Sequence, residues 1–179
     1  MYGVLNNLQK FRDVTPEQTR LQLFKSLILP HFDYCSYEYC NINVEQTKRL
    51  QSALTSAMRY VYNVPFAENM SPFYVKAQVL KVKERRNLEI LLITHKILYE
   101  NCPKYLADLV SKTSDVNIRS MRSHRLKLRA PLVGVEAAED SFRVKCYRLW
   151  NDLPPEICLN PSINVFKRLI LNRYLCSYA

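Results

Sequence analysis

The chain is 179 residues long, 48% hydrophobic and 23% charged, and its 26 Lys and Arg outweigh 16 Asp and Glu to give a formal charge of +10. That is enough chain for one domain with a real core or two small ones, in ordinary globular proportions, and no apolar run approaches the length of a membrane span. Two glycines, Gly3 and Gly134, are too few for the positive-φ corners of tight hairpins and exclude a Gly-rich phosphate loop, so the expected fold is mainly helical.

In chain order, a first helix is expected over residues 2–12, burying Val4, Leu5, Leu8 and Phe11. Thr15 reads as an N-cap with Pro16 at the first helical position, opening a central helix over the longest apolar run, residues 21–36. Leu21, Phe24, Leu27 and Ile28 form its stripe, Pro30 must bend or end it, and the helix is expected to continue, bent, towards Cys40, with Phe32, Tyr34 and Cys35 carrying the apolar surface onward. Asn43, with Gln46 three residues on, caps a helix whose buried face is Leu50, Leu54, Ala57, Met58 and Val61 and which ends near Asn63. Lys48, Arg49 and Arg59 fall away from most of that stripe and are expected to be accessible.

After a loop over residues 65–70, Ser71-Pro72 repeats the cap-then-proline pattern and opens a short helix to about residue 80. A long helix over residues 82–99 follows, with Leu88, Leu91, Leu92 and His95 on one face. Lys81, Lys83, Arg85 and Arg86 crowd its first turn, where positive charge opposes the macrodipole, so either Glu84 and Glu89 compensate or something anionic sits nearby. A brief helix is expected over residues 104–111. Periodicity fails over residues 112–138. Arg119, Arg122, His124, Arg125, Lys127 and Arg129 accumulate there without an acidic residue between Asp115 and Glu136, and a short strand is allowed over residues 125–131. Helical order returns over residues 141–151, burying Phe142, Cys146, Leu149 and Trp150, and in a last helix capped by Ser162 that carries Val165, Phe166, Leu169, Ile170 and Leu175. The expected fold class is therefore all-α, about seven to eight helices with a basic irregular segment. Residues 1–111 form one helical domain, 112–138 a linker, and 139–179 a C-terminal helical part.

No catalytic constellation is evident. Asp33, Asp108, Asp115, Asp140 and Asp152 are isolated and none sits in an apolar β-run, which argues against a two-metal phosphoryl-transfer site. His31, Cys35 and Cys40 are too loosely spaced for an ordinary zinc motif, and His95 reads as a core histidine. The six cysteines, Cys35, Cys40, Cys102, Cys146, Cys158 and Cys176, include no CxxC pair and follow no secretory signal, so they read as reduced thiols of an intracellular protein. No metal or cofactor is expected. Cations interleaved with aromatic residues are present, as nucleic-acid binding needs, with Tyr60, Tyr62, Tyr74 and Tyr105 as candidate stacking rings. The plainer alternative makes these tyrosines core residues and the Arg-rich run a solvated face.

Six blocks in order resemble the C-terminal, thumb and post-thumb region of non-LTR retrotransposon reverse transcriptases of the jockey and CR1 type. They are LFKSLILPHFDYCS (residues 23–36), RLQSALTSAMRYVYN (49–63), ERRNLEILLITHKILYENCPKYLADLV (84–110), RSMRSHRL (119–126), SFRVKCYRLWNDLPPEI (141–157) and SINVFKRLI (162–170). The resemblance implies a helical segment following the polymerase palm and fingers that grips a template–primer RNA–DNA hybrid through its backbone. The metal-binding aspartates of the palm are absent, so the implied reverse transcription belongs to a parent polyprotein and not to this chain. Tyr37, Glu38 and Tyr39 stand where members commonly carry a tryptophan, and Ser56 where many carry a basic residue, while Arg59 is retained. The implied phosphate contacts are Lys48, Arg49, Arg59, Arg85, Arg86, Arg119, Arg122 and Arg125. The alternatives are a helical protein-interaction or relic module and, more remotely, a small nuclease or transferase.

Overall fold

A computed structural model describes residues 2–34, 36, 41–100, 104–107, 127–128 and 141–178, with the side chains of Tyr105 and Ala107 outside the description. The fold is all-α, and each expected helix is present at least in part. The helices are α1 (Tyr2–Gln9), α2 (Glu17–Leu23), α3 (Pro30–Asp33), α4 (Val44–Tyr62), α5 (Ser71–Ala77), α6 (Val82–Glu100), α7 (Lys104–Ala107), α8 (Phe142–Asn151), α9 (Pro155–Cys158) and α10 (Ile163–Cys176). The first compact unit comprises Met1–Ser36, Ile42–Arg86 and Arg173–Ala179, and the second Tyr37–Asn41 and Asn87–Asn172. This partition by packing runs differently from the sequence-based one, which followed the loss of periodicity over residues 112–138.

In the first unit, α1 stops three residues earlier than expected. The Phe11 N–H closes a tight turn on the Leu8 carbonyl at 3.1 Å, and a 3₁₀ turn follows at Arg12–Val14. That turn carries Phe11 out to 61% exposure instead of into the core. Thr15 is not the cap of α2: its hydroxyl donates backwards to the Phe11 carbonyl at 2.7 Å. Pro16 takes the capping position, and its carbonyl accepts from Arg20 N at 3.0 Å.

The central element is α2, one π turn at Phe24–Ile28, then α3. Pro30 has no N–H to donate and its ring crowds the preceding turn. The backbone answers with a wider turn in which Leu29 N reaches the Phe24 carbonyl at 2.9 Å, an i→i+5 bond. A turn with one extra residue rotates everything after it. Phe24, Ile28 and Leu29 are therefore buried, whereas Leu27, expected on the stripe, is 45% exposed. Beyond Pro30 the helix does not run on: it ends at Asp33, and Tyr34 N closes on the Pro30 carbonyl at 2.9 Å.

Helix α4 follows its sequence pattern. The Asn43 side chain accepts from Gln46 N at 2.7 Å, and Leu54, Ala57, Met58 and Val61 are fully buried against Phe24 and Ile28 in one apolar cluster. It ends at Asn63 in the left-handed region (φ 54°), with Val64 N returning to the Arg59 carbonyl at 3.3 Å. Helix α5 ends the same way on Gln78 (φ 56°), with Val79 N on the Tyr74 carbonyl at 3.0 Å. Asn tolerates that backbone and Gln does so at a cost of about 1–2 kcal/mol, which glycine would avoid. At the start of α5, Met70 is the cap and Ser71 is already helical, because Asn69 accepts the Ser71 N–H at 3.0 Å.

The first turn of α6 is held by side chains distant in sequence. Val82 N donates to Gln51 Oε1 of α4 at 2.9 Å, and the same Gln51 gives its Nε2 to the Tyr74 hydroxyl at 2.9 Å. In the second unit, Leu88, Leu91, Leu92 and His95 of α6 are buried as expected. His95 Nε2 donates to the Asn160 carbonyl at 2.8 Å, so that nitrogen carries the proton, and the ring lies against Tyr99 at 4.5 Å and Phe166 at 4.6 Å. Trp150 stacks on Phe166 at 5.7 Å. In α8, capped by Ser141, Val144 and Tyr147 join Cys146 and Trp150 in the core, while Phe142 and Leu149 are only half-buried. Of the allowed strand only Lys127 and Leu128 are described, and there is no strand among the described residues. The Asn151 amide serves Leu128 instead, accepting its N–H and donating to its carbonyl, both at 2.9 Å.

Cys146 and Cys158 are buried and Cys176 is exposed. Burial pushes the Cys158 thiol up from 9.0 to about 11. The folded chain then keeps its proton where the unfolded chain loses it, so the contribution to stability is intact below pH 9 and falls as pH rises from 9 to about 11. Urea midpoints measured across that window should fall more steeply for the native chain than for Cys158→Ala; parallel curves would show that this thiol does not titrate with unfolding.

Candidate nucleic-acid interface

The eight cations implied as phosphate contacts divide into three groups. Lys48 and Arg49 stand exposed on adjacent positions of α4, since neither belongs to the stripe that faces Phe24 and Ile28. Arg49 pairs with Glu45 one turn earlier at 2.6 Å, an exposed i,i+4 pair that solvent screens and that a phosphate can exchange for itself. Lys48 makes no salt bridge among the described residues.

Arg59, Arg85 and Arg86 are engaged within the chain. The Arg59 guanidinium donates to the Pro65 carbonyl and, at 3.2 Å, to the Glu68 carbonyl, with the Phe66 ring 5.2 Å away. It clamps the loop after α4 and is only half-exposed, contrary to the accessible position expected for it. Arg85 makes a two-pronged contact with Asp33 of α3, Nε to Oδ1 and Nη2 to Oδ2, the latter at 2.8 Å. Arg86 is 8% exposed and donates to the Thr47 hydroxyl at 3.1 Å. Asp33 is an anionic group beside the basic first turn of α6, in addition to Glu84 within that turn, and a carboxylate there offsets charge opposed to the helix dipole. Arg119, Arg122 and Arg125 lie outside the described residues.

The stacking tyrosines are corrected by burial. Tyr60, Tyr62 and Tyr74 are all core residues, and the side chain of Tyr105 is not described. Tyr62 packs against Phe73 at 5.0 Å, and Tyr74 holds its hydroxyl 2.9 Å from Gln51 and 3.1 Å from Thr55. Burial raises the pKa of all three hydroxyls. Of the loosely spaced His31, Cys35 and Cys40, only His31 is described. Among the described residues no group of three His, Cys, Asp or Glu is placed to hold a metal ion.

Two rings outside the candidate stacking set, Tyr2 and Phe66, are accessible. A groove of about 710 Å³ opens beside α4, lined by Tyr2, His31, Phe32, Lys48, Arg49 and Leu50 among others. Tyr2 is 59% exposed, and Phe66, above Arg59, is 91% exposed. Tyr2 lies off the apolar stripe of α1 and Phe66 in a loop, and an aromatic residue outside any buried stripe is the signal that would have found both.

The Arg85–Asp33 pair is half-buried and two-pronged, so it contributes stability where an exposed pair would not. Asp33→Asn is expected to lower stability by about 1–2 kcal/mol in urea melts, with Glu45→Gln close to neutral. Equal losses from the two would mean that the pair carries no special weight. The sequence matches no protein-family profile, no curated protein and no solved structure.

Proposed function

We propose that this chain is a non-catalytic, nucleic-acid-binding segment of a non-LTR retroelement reverse transcriptase. In this reading it works inside the cell beside a palm and fingers supplied by the parent polyprotein, and holds the template–primer RNA–DNA hybrid by its phosphates. The observation that carries the reading is the exposed pair Lys48 and Arg49, adjacent on α4 in a chain of formal charge +10. Phosphate binding by such cations releases condensed counterions, so affinity must fall as salt rises. The six ordered sequence blocks give the reading its family. Arg59, Arg85 and Arg86 act here as structural residues that keep the first unit in shape, and Arg119, Arg122 and Arg125 remain as further phosphate contacts.

A second reading, a helical protein-interaction or relic module, is favoured by two observations. Three of the eight implied contacts spend their guanidinium groups within the chain, and Phe66 stands almost fully exposed. The two readings part on one titration. Fluorescence anisotropy with a labelled RNA–DNA hybrid should give a log–log salt slope that drops by about 0.9 for each phosphate contact removed, as estimated for duplex DNA. Lys48→Gln should lower the slope by one such step and the triple neutralisation Arg119→Gln, Arg122→Gln, Arg125→Gln by up to three. Unchanged affinity in the triple variant favours the interaction module, and salt-independent binding sinks the phosphate-contact reading.

A further inference from the structure

We infer that the groove beside α4 is a site for one unpaired nucleotide, in which a base stacks on aromatic rings and its phosphate meets Lys48. The inference rests on the proposed function and names a ligand the backbone-phosphate reading does not: a flipped or single-stranded base.

The construction begins with Pro30. The π turn ahead of it turns Leu29 inwards and leaves α3 to carry His31 and Phe32 to the wall of the groove. Tyr2 of α1 contributes the second ring, and Leu50 and Ala53 of α4 supply apolar surface. The rings differ in burial: Phe32 is half-buried and packs on the core, whereas Tyr2 is mostly exposed. Phe32 is thereby fixed as part of the wall, and Tyr2 is available to close on a ligand.

A purely apolar ligand would make no use of charged groups at the rim of the groove. This rim is charged. Glu45 is matched by Arg49 at 2.6 Å, which leaves Lys48 as the excess cation, and His31 adds a ring able to donate or accept a hydrogen bond. Ser52 adds a hydroxyl. Aromatic surface, one cation unmatched among the described residues and a few polar groups are what a nucleobase with its phosphate requires, and about 710 Å³ lies within the usual range for a small-ligand cleft, roughly 300–1,000 Å³. A duplex offers no free base face, so the site discriminates strandedness rather than sequence.

The test measures binding of the full chain to a labelled oligodeoxythymidylate about 12 nucleotides long, within the usual site size for one single-strand-binding module, and to a duplex of equal length. Tyr2→Ala is expected to weaken single-strand binding roughly tenfold and to leave duplex binding unchanged. Tyr2→Phe, which keeps the ring, should bind as the native chain does, and Lys48→Gln should weaken both ligands. Tyr2 is exposed, so its loss is not expected to unfold the chain, and circular dichroism of each variant verifies this. Single-strand affinity indifferent to Tyr2→Ala overturns the inference, while salt-dependent duplex binding in the same experiment leaves the proposed function standing. Absence of binding to either ligand overturns both. Self-association that Tyr2→Ala abolishes, without oligonucleotide binding, makes the groove a contact between copies and likewise overturns the inference.

Discussion

The missing N–H of Pro30 is the constraint from which the rest of the first unit follows. An α-helix reaching that proline loses a hydrogen bond and meets a ring pressed against its previous turn. The chain inserts a π turn over Phe24–Ile28, and the register beyond it shifts by one residue. Phe24, Ile28 and Leu29 then face Leu54, Ala57, Met58 and Val61 of α4 in a single cluster. The same shift determines what the short α3 presents: Asp33 to Arg85, and His31 and Phe32 to the groove. Packing and site are thus two outcomes of one local conflict, consistent with the frequent occurrence of π turns at functional positions.

A second organising feature is the first turn of α6. Its basic residues oppose the helix dipole and would be unfavourable alone. Gln51 caps the turn through Val82, Asp33 holds Arg85, and Thr47 holds Arg86, so three side chains from α3 and α4 are tied to one turn. The described cations among the implied phosphate contacts accordingly divide in two. Arg59, Arg85 and Arg86, whose partners lie outside their own helices, are part of the scaffold. Lys48 and Arg49, on a face of α4 turned from the core, are what the scaffold displays.

Much of this was legible in the sequence because it depends on near neighbours. The Asn43 cap, the α4 stripe, the stop at Asn63 and the buried face of α6 through His95 are all set within a turn or two of chain. The readings that failed depended on partners far away or on backbone other than an α-helix. Leu27 was assigned to the core by a period that the π turn breaks. Thr15 fits the capping pattern, yet its hydroxyl is spent on Phe11. Arg85 meets Asp33 across 52 positions, and no local pattern reports that. Tyr60, Tyr62 and Tyr74 lie near helix ends, where stacking is possible, but α4 and α5 bury them. For the proposed binding surface, the sequence points to Lys48 and Arg49 but not to Tyr2 and Phe32, since a groove is a tertiary object.

The central claim is that the exposed face of α4 and the walls beside it form the nucleic-acid surface. Hydrogen–deuterium exchange of the full chain, with and without a saturating RNA–DNA hybrid carrying a single-stranded overhang, tests it most directly. The account predicts slowed exchange concentrated in residues 2–9, 30–34 and 44–53, with the core segment 54–62 already protected and little changed. Slowed exchange confined to other segments, with none at residues 44–53, would contradict it.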